Sequence, residues 1–253
     1  SVSVDLIYGL PHQNTESIKT TIDTVLSLDP DRLALYHYAH LPHIFKPQRR
    51  IDTNVVPGSE EKLDMLQYCV QTLTERGYVF IGMDHFAKPD DELSIALKEG
   101  FLQRNFQGYS TYADCDLVAI GVSSIGKIGS TYSQNERDID AYYAALDAGH
   151  LPIMRGYQLN QDDILRRNII QDLMCRFSLD YQIYESVFGI PFSRYFAAEL
   201  EDMKQLETLG LVRLKPHNLT VTPKGRFLIR NIAMVFDYHL RHKETKAKYS
   251  QTV

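Results

Sequence analysis

The first hydrophobic run, Val2 through Ile7, reads as a buried strand ending at the turn signal Tyr8-Gly9-Leu10-Pro11. After it, Thr15-Glu16-Ser17 opens a helix in which Ile18, Ile22, Val25, Leu26 and Leu28 recur at helical spacing. Pro30 cannot donate the next backbone hydrogen bond, so Asp29-Pro30 closes that helix. Arg32 to Tyr38 reads as a second strand. Two strands joined through one helix make a βαβ unit, which implies a parallel pair. A loop through Pro42, Pro47, Pro57 and Gly58 follows, and Ser59-Glu60-Glu61 then caps a helix over Glu60 to Arg76, ended by Gly77. Tyr78 to Met83 and Leu117 to Val122 read as third and fourth strands. Repeated β–α units predict part of a (β/α) barrel or an open doubly wound sheet, and in both the chemistry gathers at the carboxyl ends of strands.

From Asp162 the pattern changes. Ile164 to Phe177 reads as an amphipathic helix, Tyr181 to Phe188 as a second, and Phe192 to Leu209 as a third ended by Gly210. Leu211 to Leu214 and Leu219 to Thr222 form a hairpin, and Lys224 to His242 a last long helix. Three helices, a β wing and a final helix resemble a winged helix, ahead of a polar tail from Lys243. This divides the chain into residues 1–160, with the β–α units, and residues 161–253, a helical winged-helix-like part.

Composition adds limits. A chain of 253 residues with 44% hydrophobic and 23% charged residues carries a full globular core. Its net charge of −5 gives no overall pull toward nucleic acid or anionic lipid. Basic residues gather late (Arg226, Arg230, Arg241, Lys243, Lys246, Lys248), but without the concentrated face of a nucleic-acid binder, so no nucleic-acid partner is expected. Cys69, Cys115 and Cys175 form neither a CxxC pair nor a disulfide framework, which suits a reducing, cytoplasmic compartment. Signal peptide, membrane span and lipidation motif are not found, and no membrane partner is expected. The chain starts inside a strand and without Met, so it is expected to be part of a longer protein.

Candidate chemistry lies at the strand ends: Asp5, then Tyr38-Ala39-His40, then Asp84-His85. The segment from Gly121 to Lys127 lacks phosphate-loop spacing. His37, His40 and His43 recur every three residues, which places His37 and His40 on opposite faces of a strand and argues against a shared metal. Asp90-Asp91-Glu92 reads as a helix cap and first turn. A metal-dependent barrel hydrolase using His37, His40, Asp84 or His85 is one alternative; a DNA- or haem-binding module is another.

Six ordered stretches then carry a resemblance: Asp5 to Pro11 (DLIYGLP), Tyr38 to Pro42 (YAHLP), Gly82 to Ala87 (GMDHFA), Pro89 to Leu93 (PDDEL), Arg104 to Tyr109 (RNFQGY) and Lys224 to Asn231 (KGRFLIRN). Together they resemble the oxygen-independent coproporphyrinogen III oxidases, radical S-adenosylmethionine enzymes, almost end to end. Haem-chaperone relatives share the early stretches, while GMDHFA and NFQGY favour the oxidase branch. The resemblance implies an α/β fold: the C-terminal part of a partial (β/α) barrel of radical S-adenosylmethionine type, followed by a helical, winged-helix-like domain.

The resemblance also implies a [4Fe-4S] cluster on a CxxxCxxC loop, which binds S-adenosylmethionine and cleaves it to a 5′-deoxyadenosyl radical. That radical takes hydrogen from two substrate propionates of coproporphyrinogen III, and loss of carbon dioxide leaves the vinyl groups of protoporphyrinogen IX. An external electron donor and acceptor are required, and a monomer is expected. This sequence has no CxxxCxxC, so the chain by itself is expected to be inactive. By motif, Asp5 matches the position that accepts hydrogen bonds from the cofactor ribose, and the Ala39 backbone lies beside its adenine. Phe106, Gln107 and Ile125 match contacts to a second S-adenosylmethionine. Four substrate carboxylates call for arginines, and Arg49, Arg50 and Arg104 are the candidates. No residue of this chain is assigned to a metal.

Overall fold

The computed structural model describes residues 1–112 and 115–242. Strand β1 (Ser3–Tyr8), helix α1 (Thr15–Ser27) and strand β2 (Arg32–His37) form the βαβ unit, with β1 and β2 parallel and in register from Ser3 opposite Arg32 to Tyr8 opposite His37. Asn14 and Ser17 close a capping box at the start of α1. Helix α2 (Ser59–Glu75) follows the proline-rich loop, and its N-cap is Gly58 rather than Ser59, with no side-chain cap bond.

Beyond α2 the expected repetition of parallel strands stops. Strand β3 (Val79–Gly82) turns back through Met83 and Asp84 into β4 (His85–Ala87), which lies between β2 and β3 and is antiparallel to both. The reversal is local: Gly82 at φ 151° and Met83 at φ 50° are both outside strand geometry. The result is a mixed four-stranded sheet of order β1-β2-β4-β3.

Helix α3 (Glu92–Glu99) is capped by Asp91, as its acidic start implies. A short hairpin, β5 (Gln103–Asn105) with β6 (Gly108–Ser110), comes next. The strand read at Leu117 to Val122 does not form; that segment makes one bridge, Leu117 with Lys127. Its apolar residues are not buried, Val118 and Ile120 being 69% and 84% exposed, and positive φ at Gly121 and Ser123 breaks the run. The ladder forms further on, as β7 (Ile125–Ile128), β8 (Thr131–Asn135) and, after helix α4 (Ile139–Asp147), β9 (Ile153–Gln158).

The C-terminal region holds α5 (Gln161–Arg176), β10 (Ser178–Asp180), α6 (Tyr181–Phe188), α7 (Phe192–Tyr195), α8 (Ala197–Thr208), β11 (Val212–Lys215) and β12 (Asn218–Val221). The wing is the three-stranded β10-β12-β11 sheet. The helix read over Phe192 to Leu209 breaks at Phe196, which joins α7 to α8 in a non-helical conformation. The helix read over Lys224 to His242 is three pieces: α9 (Pro223–Arg226), α10 (Ile229–Met234) and α11 (Tyr238–Arg241). α10 runs out in i to i−3 bonds at Val235, Phe236 and Asp237, and Asp237 then caps α11 through Leu240 N–H. The tail residues from Lys243 lie outside the described residues.

Two cores hold this together. Val4, Leu6, Tyr8, Leu33, Leu35 and Phe86 put one face of the sheet under Ile18, Ile22 and Val25 of α1 and Met65, Cys69 and Leu73 of α2. The second core joins Ile81, Ala87, Leu93 and Leu102 to α5, α6, α7, α8 and α10 through residues such as Ile169, Tyr184, Phe192, Met203 and Ile232, with Phe196 and Phe236 packed between them. Burial of each large aliphatic or aromatic side chain contributes about 1.5–3 kcal/mol.

Candidate functional site

Strand alternation decides which residues are free for chemistry. Val4, Leu6 and Tyr8 point into the helix-covered core, so Ser3, Asp5 and Ile7 take the opposite face. The register carries that face across the sheet: Asp5 pairs with Ala34, Ile7 with Tyr36, and Ala34 with His85. At the β1 side the face is open, with Asp5 and Ile7 exposed. At the β4 side Tyr109 closes it. The Tyr109 ring meets His85 edge-on at 5.3 Å, Tyr36 meets His85 edge-on at 6.1 Å, and the Arg104 guanidinium lies 5.6 Å from the Tyr109 ring centroid.

Electrostatics follow from this crowding. Burial, reinforced by the Arg104 charge and opposed by Asp5, pushes the His85 imidazole down to about 4, so it is neutral at pH 7. Burial lifts the Asp84 carboxyl above its ordinary range, with Arg230 and Arg104 pulling the other way. Burial and the nearby Asp5 and Asp84 charges raise the Tyr36 phenol. Among the described residues, two buried polar atoms on this face lack partners, His85 Nδ1 and Arg104 Nε; His37 Nε2, on the helix-covered side beside Tyr8, and His40 Nε2, past the end of β2, lack them too. Unsatisfied buried groups are costly, so a face that gathers them suits a polar ligand.

Arg104 also lines a cleft of about 1010 Å³ between the β5–β6 hairpin, the β7–β9 sheet and helix α5. Phe106 and Tyr132 meet edge-on at 5.4 Å on its wall. On its far side, His239 Nε2 lies 2.8 Å from Asp163 Oδ1, and the Tyr157 hydroxyl lies 3.1 Å from Asp163 Oδ2.

The sequence-derived candidates separate into groups. Asp5 stands on the open face. Ala39 follows β2, and its carbonyl accepts from Gln48 Nε2 at 3.0 Å. Arg104 links the face to the cleft, and Phe106 lines the cleft. Gln107 sits at the tip of the β5–β6 hairpin with its N–H bonded to Asn105 Oδ1, and Ile125 opens β7 opposite Gln134; neither lines the cleft. Arg49 and Arg50 lie on the 3-10 turn Lys46–Arg50, where Arg49 Nε donates to the Pro42 carbonyl; neither lines the cleft. Tyr36 and Tyr109 were not among the candidates, yet both press on His85. Tyr36 carried a usable signal, since it alternates with Ala34 on the same strand face.

The cysteines do not fit an iron–sulfur cluster. Cys69 is buried in one core and Cys175 in the other, while Cys115 is exposed. Among the described residues no group of three or more His, Cys, Asp or Glu side chains is placed to hold a metal ion. Among them, too, no helix is long and apolar enough to cross a membrane.

The family model described as the HemN C-terminal domain matches residues 159–228. An oxygen-independent coproporphyrinogen III oxidase of Pseudomonas aeruginosa is 50% identical over 240 residues, covering 95% of this chain and 52% of that protein. The protein of the same name from Thermostichus vulcanus is 47% identical over 244 residues, covering 96% of this chain and 75% of its own length. A solved structure, described as "Coproporphyrinogen III oxidase (HemN) from Escherichia coli is a Radical SAM enzyme", matches with a TM-score of 0.91 at 48% identity. That match covers 94% of this chain and 55% of the other. The chain therefore spans about half the length of the Pseudomonas protein and of the Escherichia coli structure. Identity near one residue in two, sustained along the chain and matched by the fold, means that this chain belongs to the oxygen-independent coproporphyrinogen III oxidase family.

Proposed function

We propose that this chain forms the substrate- and cofactor-facing part of an oxidase that converts two propionates of coproporphyrinogen III to vinyl groups without oxygen, giving protoporphyrinogen IX in haem biosynthesis. The observation that carries this reading is the Escherichia coli radical enzyme's match to the fold at a TM-score of 0.91. In this reading S-adenosylmethionine supplies the hydrogen-abstracting chemistry. Asp5 holds the ribose: a carboxylate offers two acceptors to a diol, and its exposure keeps the desolvation cost low. The Ala39 backbone borders the adenine, and Phe106, Gln107 and Ile125 serve a second cofactor molecule. The [4Fe-4S] cluster is held by residues outside these 253, because Cys69, Cys115 and Cys175 do not converge. Arg104 faces substrate carboxylate, Arg49 and Arg50 the outer propionates.

The family-model match that starts at residue 159 supports a division near residue 160 into a barrel part and a winged cap. An external electron donor and acceptor complete the reaction, and the free cysteines suit a cytoplasmic setting.

The test is a chimera in which these 253 residues replace the aligned segment of the Pseudomonas aeruginosa relative. Anaerobic formation of protoporphyrinogen IX, lost on Asp5→Asn, is expected. A folded chimera that loads its cluster yet yields no product would overturn the proposed activity. For the 253-residue chain alone, near-zero iron after anaerobic reconstitution is expected; about four irons per chain would overturn the placement of the cluster.

A further inference from the structure

The cleft between the β5–β6 hairpin, the β7–β9 sheet and α5 has a charge pattern that its bare count hides. Among the described residues four carboxylates line it, and each of these is engaged. Asp116 accepts from Gly129 N–H, Asp163 from Asn160 N–H and Tyr157, Asp172 from Tyr184, and Asp237 from Leu240 N–H. Asp163 is also paired with His239 and Asp172 with Arg176. Among the lining cations Arg166 is likewise spent, on Asp162 and Glu199. Arg104, Lys127 and Arg167 are different. Among the described residues none of the three forms an ion pair, Arg104 Nε is buried without a partner, and Arg167 makes only a 3.5 Å contact to the Gly129 carbonyl.

Aromatic rings make up much of the remaining wall, with aliphatic side chains such as Leu117, Leu159 and Ile170 between them. Phe106, Tyr112, Tyr132, Tyr157 and Tyr238 face the same space. Such walls favour a flat or saucer-shaped apolar body, while unpaired guanidinium and ammonium groups favour carboxylates at its rim. The volume, about 1010 Å³, stands at the top of the range of roughly 300–1,000 Å³ for small-molecule sites. That is room for a macrocycle rather than for one amino acid.

We infer that this cleft is the tetrapyrrole-carboxylate site, with Arg104, Lys127 and Arg167 as its carboxylate anchors and the Tyr132 and Tyr157 rings as its wall. The inference rests on the proposed function and names the binding surface that the reading leaves open. Arg104 gives the cleft its orientation. Through Tyr109 it borders the sheet face that carries His85 and Asp5, so a carboxylate bound there lies at the junction of cleft and open face, and Lys127 and Arg167 hold the side away from it.

Direct binding tests this without turnover. Coproporphyrin III, the oxidised fluorescent form of the macrocycle, is titrated with the 253-residue chain and followed by its absorption and anisotropy. Saturable binding is expected, weakening with salt. Lys127→Met and Arg167→Met, both at partly exposed positions, should each weaken it roughly tenfold, as loss of a charge-assisted bond implies. Arg213→Met on the wing should leave affinity within twofold. Circular dichroism of each variant shows that it is folded.

Absence of saturable binding, or unchanged affinity in folded Lys127→Met and Arg167→Met, overturns the inference. So does a loss confined to Arg49→Met and Arg50→Met, which places the macrocycle elsewhere. Displacement of coproporphyrin by equimolar ATP would make the cleft a general anion site and equally overturn it. None of these outcomes touches the chimera assay, which reads the activity, and a chimera without turnover leaves the binding result standing.

Discussion

The Tyr109 ring occupies the space that a side chain at position 82 would need, so Gly82 is what lets the β5–β6 hairpin close against the sheet. A Cβ on Gly82 would collide with the Tyr109 hydroxyl and meet the Phe177 ring, at a φ of 151° that side-chain-bearing residues avoid. The same hydroxyl donates to the Met174 carbonyl of α5 at 3.2 Å, so this one contact ties sheet, hairpin and helix together.

Gly82→Ala should therefore destabilise the chain by about 2–4 kcal/mol, from overpacking and backbone strain together. Tyr109→Phe should cost about 1 kcal/mol through the lost hydrogen bond. Urea unfolding of both, of Tyr109→Ala, and of the double variant combining Gly82→Ala with Tyr109→Ala provides the check. If the double variant costs as much as the two single changes added, the residues do not compete for one space and the account fails.

Acid should weaken the fold through histidine before it weakens it through carboxylates. The folded-state value of His85 is depressed to about 4, against 6.5 in the unfolded chain. Between those values the unfolded state binds the proton and the folded state does not. The stability His85 contributes is thus full above pH 6.5 and is lost as pH falls toward 4. His37 is also depressed, by burial and by Lys62, and acts in the same direction. For His85 the effect is on the order of 2 kcal/mol. Stability measured from pH 7.5 to 4.5 should fall less in His85→Asn than in the unsubstituted chain. Parallel curves would rule out the depressed imidazole.

How much of this was legible in the chain depended on whether the signal was local. The α1 boundary, the β1–β2 pair and the Asp91 cap follow from neighbours within one or two turns, and sequence reading places them within a residue or two. The hairpin that inserts β4 between β2 and β3 was not legible. It depends on Gly82 taking φ 151° beneath Tyr109, a contact between residues 27 positions apart. The segment from Leu117 to Val122 was misread for the opposite reason: its apolar composition mimics a buried strand, while its side chains stand exposed. Asp5 and Phe106 were singled out by motif likeness, and Arg104 by the need to pair substrate carboxylates. Lys127 and Arg167 were not, because being unpaired in a cleft is a property of the surroundings rather than of the residue.

The buried pair Arg166–Glu199 should be costly to break and cheap to remove whole. Arg166 Nη1 donates to Glu199 Oε1 at 2.9 Å and to the Phe236 carbonyl at 3.1 Å, while its Nε reaches Asp162 at 2.7 Å. Both side chains of the pair are nearly sealed, at 10% and 6% exposure. Glu199→Gln strands part of a buried cation, and Arg166→Met strands a carboxylate; each should cost about 3–5 kcal/mol. Arg166→Met with Glu199→Leu should cost clearly less than the two single changes added. An additive cycle in thermal unfolding would show that the pair is not coupled.

The three thiols should separate sharply in reactivity, and this bears directly on where the cluster is held. Cys69 and Cys175 are 0% and 2% exposed, and burial pushes both up to about 12, so at pH 8 almost no thiolate forms at either. Cys115 is exposed on the wall of the cleft. A thiolate-selective reagent such as Ellman's should modify one thiol per native chain rapidly, with the other two slower by on the order of a thousandfold until denaturant is added. Peptide mapping should place the fast label at Cys115. Rapid modification of all three would mean that the two cores open readily. The thiols could then converge, and the case for cluster ligands outside these residues would fall with their burial.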